Sequence, residues 1–266
     1  MPVRFLPDLS ALFADAVRMA RARFWTLFVL GIFPAVPLVL LSPFIAQVLM
    51  ARDQGAAFPE EIAPYISPWT SVVAVLGLIL VFIVSFAASA GMFIALSAPR
   101  DPGPRRAMRE GAQRWLAYFW VQLLMGIAVL LVLVPGVLFF TVGRNILGSM
   151  GGYHPSLSLF ILLVSLLLVF PAFIVISWYA FSLVLAARGE ASGVAALRVS
   201  HRLVHGATGQ VFGFLFAWFL VELLLSLLLS VLFPGLPLFT GLVYYFTTTI
   251  LGSAYLYALY LALRKA

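Results

Sequence analysis

The chain contains no cysteine, which excludes disulfide bonds, thiol catalysis and cysteine-ligated metal sites. Charged residues are also scarce, at 9% against about 25% in an average soluble domain. The sequence has no Ser-His-Asp set, no carboxylate dyad and no HExxH motif. His201 and His205 have the spacing of a helical metal pair, but no third ligand stands near them in the sequence. We therefore expect no catalytic residue, no metal site and no cofactor.

Apolar side chains dominate what is present, at 64% of the chain with a mean hydropathy of +1.13. A helix of about 20 apolar residues crosses a bilayer, and six stretches are long enough: Phe24–Met50, Trp69–Ser97, Trp115–Val142, Leu157–Ala187, Gln210–Phe233 and Leu238–Leu263. The first far exceeds the roughly 7–15 apolar residues of a signal peptide, so we expect it to be retained. The sequence predicts an all-α polytopic membrane protein with six transmembrane helices in one domain, 1–266.

The basic residues lie almost entirely on one side of these predicted helices. Of the 16 Lys and Arg residues, all but Arg52 and Arg144 stand before the first stretch, between the second and third, between the fourth and fifth, or after the sixth. Loops rich in Lys and Arg face the cytoplasm. We therefore expect a bacterial inner-membrane protein with both termini in the cytoplasm. The net charge of +7 then reflects topology, and no nucleic-acid partner is expected.

A pair of helices recurs three times along the chain. The second helix of each predicted pair carries a serine that precedes an arginine by eleven residues: Ser89 and Arg100, Ser177 and Arg188, Ser253 and Arg264. We interpret the pattern as three hairpin units, approximately 8–100, 101–188 and 190–266. Coincidence within a small apolar alphabet is the alternative.

A basic stretch precedes each odd-numbered span. In the first of these stretches, apolar residues between Leu9 and Phe24 follow the i, i+3, i+4, i+7 spacing of one helix face. We expect amphipathic elbow helices that lie at the cytoplasmic interface with their basic side toward anionic headgroups. Simple bracing of the bundle is the alternative. The arginines expected to contact anionic lipid are Arg18, Arg21, Arg105, Arg106, Arg109, Arg198 and Arg202.

Glu222 is the one acidic residue placed near the middle of a predicted span. A charged group at the bilayer centre is costly, so we expect this carboxyl group to face the bundle. Hydroxyl groups stand at matching depth, and the predicted intramembrane polar site comprises Glu222, Ser226, Thr248, Thr249 and Tyr245. A proton- or solute-coupled site is one interpretation, and hydrogen bonding between helices is the other.

The stretch from Trp178 to Phe219 contains the run ALRVSHRLVHG, Ala196–Gly206. This run resembles the signature of the glycerophosphoryl diester phosphodiesterase membrane-domain family and its YciC-like and DUF975 relatives. The resemblance implies that Glu190 is the counterpart of a family glutamate at the end of the fourth span, at a displaced position. The resemblance implies a bacterial inner-membrane protein with basic elbows. In some members this domain precedes a soluble phosphodiesterase barrel, which the present sequence lacks, so no catalytic residue is carried over.

The sequence thus favours a non-catalytic scaffold or accessory protein that acts on membrane lipids or on partner membrane proteins. Its expected partners are anionic lipid headgroups on the cytoplasmic side, together with a membrane-protein partner or a second copy of the chain. The alternative is a transporter, channel or lipid scramblase that uses the polar site around Glu222.

Overall fold

The computed structural model describes residues 8–33, 44, 47, 48, 50, 67–149, 155–233, 235 and 237–265. Its elements within these ranges are all α-helical. We label the helices α1 (Leu9–Ala22), α2 (Phe24–Ile32), α3 (Pro68–Ser97), α4 (Pro104–Ser149), α5 (Pro155–Tyr179), α6 (Ser182–Arg188), α7 (Gly193–Val204), α8 (Thr208–Leu232) and α9 (Pro237–Lys265).

Five helical stretches in the described residues are long and apolar enough to cross a membrane: Pro68–Ser97, Pro104–Gly148, Pro155–Arg188, Thr208–Leu232 and Val243–Lys265. They correspond to the second to sixth predicted spans. Over the described residues, the expectation of an all-helical fold with several helices fit to span a membrane is confirmed. α2 forms the start of the first predicted span. Most of the remainder of that span lies outside the described residues, and the count of six stays a prediction.

The helix ends follow from local sequence. Proline opens α3, α4, α5 and α9, where its missing N–H leaves no hydrogen bond unmade. Ser67 caps α3, and its hydroxyl accepts the Thr70 N–H at 3.1 Å. Gly189 ends α6 at a φ of 70°, a conformation that favours glycine. Gly206 has a φ of 92° and separates α7 from α8.

The second expected elbow is not a separate helix. The first and third basic stretches form α1 and α7, but the residues around Arg105 and Arg109 belong to α4, which runs unbroken for 46 residues. No proline or left-handed glycine interrupts the chain between Arg105 and the apolar part of α4. The helix therefore continues from the basic segment into the span, and the expectation that the second basic stretch forms an elbow helix of its own is wrong.

The buried core lies at the basic end of the bundle. Its largest contributions come from Ala87–Leu96 at the end of α3, from Phe181–Ala187 around α6, and from Ala254–Leu263 at the end of α9. The opposite halves of α3, α4, α5 and α8 carry many exposed leucine, valine and phenylalanine side chains. In a membrane protein such surfaces face lipid, so the packing of helices against one another is concentrated at one end of the bundle.

Small residues let α3 and α4 cross closely within this core. Ala87 and Gly91 face Ala107 and Gly111, with the four-residue spacing of small residues that brings membrane helices together. A Cβ atom added to Gly111 would lie 2.1 Å from the Ala87 carbonyl oxygen, and one added to Gly91 would lie 2.9 Å from that of Ala107. Because both obstacles are backbone atoms, the two helices can only keep this distance with glycine at these positions.

We predict that Gly111→Ala lowers the stability of the purified protein. The new methyl group would force α3 and α4 apart, and overpacking of this kind costs about 1–3 kcal/mol. Gly126→Ala is the matched control, because Gly126 lies on the same helix with no atom within 4 Å of a new Cβ. Thermal unfolding in detergent should show a lower midpoint for Gly111→Ala and no loss for Gly126→Ala. Equal midpoints for the two variants would contradict the close crossing.

Candidate functional site

The carboxyl group of Glu222 is tied to its own helix. The Trp218 Nε1–H, one turn earlier on α8, donates a hydrogen bond of 2.6 Å to Glu222 Oε1. Glu222 itself is half-buried. The hydrogen bond satisfies one carboxyl oxygen within α8, which reduces the need for a partner on a neighbouring helix.

Aromatic residues hold Trp218 in place between three helices. Its ring stacks on Tyr255 of α9 with centroids 5.2 Å apart, and Phe13 of α1 lies 6.2 Å away. The Tyr255 hydroxyl donates to the Phe214 carbonyl oxygen at 2.9 Å and so joins α9 to α8. Gly252 on α9 lies beside the indole ring, at a distance where a Cβ atom would make an ordinary 3.4 Å contact with it. Glu222 is therefore anchored through Trp218 to a cluster that α1, α8 and α9 share.

The other members of the predicted polar site make local contacts. The Thr248 hydroxyl donates to the Tyr244 carbonyl oxygen at 2.8 Å, within α9. The Tyr245 side chain is 40% exposed and interacts with Thr249, also within α9. The Ser226 carbonyl oxygen accepts the Ser230 hydroxyl on α8. These contacts follow the helix on which each residue lies, and the grouping of all five residues into one site stays a prediction.

Sequence reasoning missed Trp218 as the partner of Glu222. The signal was present, since Trp218 precedes Glu222 by four residues and the two therefore lie on the same face of a helix. An indole N–H in an apolar span also needs an acceptor. Trp218 is thus nearer to Glu222 along the chain than the hydroxyl groups at matching depth on the next predicted span.

A second cluster of polar groups forms at the basic end around Glu190. The Arg188 Nε lies 2.7 Å from Glu190 Oε1, and an Arg264 guanidinium nitrogen lies 3.1 Å from the same oxygen. The Tyr260 hydroxyl donates to Glu190 Oε2 at 3.0 Å. Arg188 also donates to the Tyr257 hydroxyl at 3.3 Å. One carboxylate thus joins the end of α6 to the end of α9.

The sequence repeat already pointed to the two arginines of this cluster. Arg188 and Arg264 are equivalent residues of the second and third predicted hairpin units, and the structure brings both to one carboxylate. Glu190 entered the sequence analysis only through the family resemblance. The pairing of its carboxylate with two arginines depends on the approach of α6 to α9, which no local pattern reveals.

Two further arginines close the ends of helices. Arg23, just before α2, donates to the Ala98 carbonyl oxygen at 2.6 Å after the end of α3. Arg114 of α4 donates to the Ala187 carbonyl oxygen at 2.7 Å in α6. A cation suits the last carbonyl groups of a helix, which have no partner within it. The same contact therefore occurs within both 8–100 and 101–188, although the division into three units stays a prediction.

The seven arginines expected to contact lipid are all exposed: Arg18, Arg21, Arg105, Arg106, Arg109, Arg198 and Arg202. Two of them have acidic partners on the same helix. Arg18 pairs with Asp15, and Arg106 pairs with Glu110 at 2.8 Å. Exposure leaves these guanidinium groups accessible to headgroups, and lipid contact stays a prediction.

The His201 and His205 rings lie 6.1 Å apart, and His201 meets the Trp178 ring edge-on at 5.0 Å. Across the described ranges, no group of three or more His, Cys, Asp or Glu side chains is arranged to hold a metal ion. His201 therefore contributes an aromatic contact between α7 and α5.

We predict that Glu190→Gln destabilises the protein by about 1–2 kcal/mol, because it leaves two arginines without their shared, partly buried carboxylate. Glu110→Gln is the matched control, since Glu110 has a single exposed partner on the same helix and such pairs contribute about 0.5 kcal/mol or less. Chemical denaturation in detergent measures both variants. A Glu190→Gln protein as stable as Glu110→Gln would show that the cluster does not join α6 to α9.

Comparison of the chain with protein-family models, with curated proteins and with solved structures finds no match. The resemblance to the phosphodiesterase membrane-domain family therefore stays a prediction that rests on the run Ala196–Gly206. The functional interpretation of this chain depends on its own geometry.

Proposed function

We propose that this protein is a non-catalytic scaffold of the bacterial inner membrane that organises lipids and partner membrane proteins at the cytoplasmic face. In this proposal both termini and the packed, basic end of the bundle lie in the cytoplasm. The exposed arginines there attract anionic headgroups, and each arginine contributes about 1 kcal/mol to the free energy of this attraction. The apolar outer halves of the helices lie in lipid.

The observation that carries this proposal is that the buried serine and threonine hydroxyls form hydrogen bonds within the protein. The hydroxyls of Ser165, Ser177 and Ser182 each donate to a carbonyl oxygen on the preceding turn, at Ile161, Phe173 and Tyr179. Ser200 donates to the Trp178 carbonyl oxygen and accepts the Phe181 N–H. Thr26 donates to Asp101 at 2.7 Å. Each of these five hydroxyls is thus occupied by the protein itself, and those of Ser200 and Thr26 join separate elements. Hydroxyl groups that are already bonded in this way are expected of a packed structural core rather than of a polar pathway.

A transporter, channel or scramblase that uses Glu222 is the second candidate. It is favoured by the placement of a half-buried carboxyl group within a membrane-spanning helix. The hydrogen bond from Trp218 and the aromatic cluster behind it support the structural interpretation instead. The two functions differ in whether lipid or protons cross the bilayer, and transfer rates in reconstituted vesicles distinguish them.

We predict that the protein reconstituted into phosphatidylethanolamine and phosphatidylglycerol vesicles moves neither fluorescent lipid between leaflets nor protons across the bilayer faster than empty vesicles. Glu222→Gln should behave in the same way, because the scaffold does not use the carboxyl group for transfer. Dithionite quenching of labelled lipid and a pH-sensitive dye inside the vesicles measure the two rates. Transfer by the unmodified chain that Glu222→Gln abolishes would overturn the scaffold and establish transport.

A further inference from the structure

An apolar groove of about 610 Å³ runs between the α1–α2 segment and α9. Val17 and Phe28 form one wall, and Phe246, Ile250 and Leu251 form the other. Its volume lies within the range of about 300–1,000 Å³ that is usual for ligand sites. It follows α9 from residue 243 to residue 251, a length of about 12 Å at the rise of an α-helix. The shape therefore suits an extended hydrocarbon chain.

One charged side chain is present among the described lining residues, that of Arg21. The Arg21 side chain is exposed, and no hydrogen bond or ion pair joins its guanidinium group to a residue that the structure describes. Its neighbours differ, because Arg18 pairs with Asp15 and Arg23 donates to the Ala98 carbonyl oxygen. Within the described part of the chain, the guanidinium group of Arg21 is thus left without an acidic partner beside the groove.

Aromatic residues place this arginine at the membrane surface. Phe28 of α2 lies against Phe246 with ring centroids 5.5 Å apart. Arg21 lies at the end of α1, two residues before Arg23, whose guanidinium donates to the Ala98 carbonyl oxygen at the basic end of the bundle. Trp25 is 65% exposed and stacks on Phe28 at 6.2 Å. Exposed tryptophan prefers the headgroup region of a bilayer. The apolar part of the groove then extends into the hydrocarbon, and the arginine stays among the headgroups.

We propose that this groove binds one anionic phospholipid, with an acyl chain along α9 and the phosphate on Arg21. An acyl chain matches the apolar walls, and a single guanidinium matches a single phosphodiester charge. The neighbouring cavity of about 490 Å³ between α1, α8 and α9 has equally apolar walls, but its described lining contains no charged residue. The inference deepens the proposed function, because it names the lipid class that the scaffold holds and the place where it is held.

The test compares Arg21→Gln with Arg18→Gln in the full chain. Both variants remove one exposed positive charge from α1, but only Arg21 lines the groove. Each protein is placed in nanodiscs that contain equal amounts of phosphatidylglycerol and phosphatidylcholine, and native mass spectrometry measures the lipid that stays bound. We expect the unmodified chain and Arg18→Gln to retain one phosphatidylglycerol. Arg21→Gln should reduce the preference for phosphatidylglycerol about tenfold, because it removes a charge-assisted hydrogen bond to the phosphate that Arg18 does not make.

A second pair of variants tests the groove independently of charge. Val17→Trp fills it from the α1 side, whereas Val194→Trp places the same ring on an exposed position of α7. We expect only Val17→Trp to lose the bound lipid. Millimolar inorganic phosphate should not displace the lipid, because the walls bind the acyl chain.

Three results would overturn the site. Equal losses in Arg21→Gln and Arg18→Gln would reveal only general attraction to a basic surface. If Val17→Trp retained phosphatidylglycerol, the lipid would bind outside the groove. If inorganic phosphate displaced phosphatidylglycerol, the site would bind only an anion and not an acyl chain. Each of these leaves the scaffold proposal intact, since that proposal fails only if the reconstituted chain moves lipid or protons across the bilayer.

Discussion

The close crossing of α3 and α4 is the contact on which the rest of the bundle depends. Lipid is as apolar as a leucine side chain, so membrane helices associate through close packing and hydrogen bonds rather than through exclusion of water. Gly91 and Gly111 permit backbone contact at this crossing. The ends of α6 and α9 pack into the same core, and Arg114 fixes α6 to α4 through the Ala187 carbonyl oxygen. A shift at the crossing would displace each of these contacts.

The concentration of packing at one end connects the fold to the proposed function. The basic end holds the aromatic and small-residue core, the Glu190 cluster and the arginines that close helix ends. The remaining helix surface is apolar and meets lipid directly. In the proposed orientation this packed end lies among the headgroups, and α1, which carries Arg21, packs there against α9. Such an arrangement suits retention of lipid rather than its transfer.

The helical segments and their capacity to span a membrane could be predicted, because both follow from the length of an apolar stretch and from the prolines beside it. Contacts between distant segments could not, because they depend on how helices approach one another. The hydrogen bond from Trp218 to Glu222 was within reach at a spacing of four residues. The meeting of Arg188 and Arg264 at Glu190 was not, since about 75 residues separate the two arginines and no local pattern spans that distance. The continuous α4 was missed because a basic segment suggested a separate elbow where nothing stops the helix.

Cysteine labelling tests most directly whether the packed, basic end of the bundle faces the cytoplasm, as proposed. The chain has no cysteine, so single variants report one position each. Arg105→Cys marks the basic end of α4, and Asn145→Cys marks its other end. We predict that a membrane-impermeant maleimide added to intact spheroplasts labels Asn145→Cys and reaches Arg105→Cys only after the membrane is opened. Labelling of Arg105→Cys in intact spheroplasts, with Asn145→Cys protected, would contradict the account.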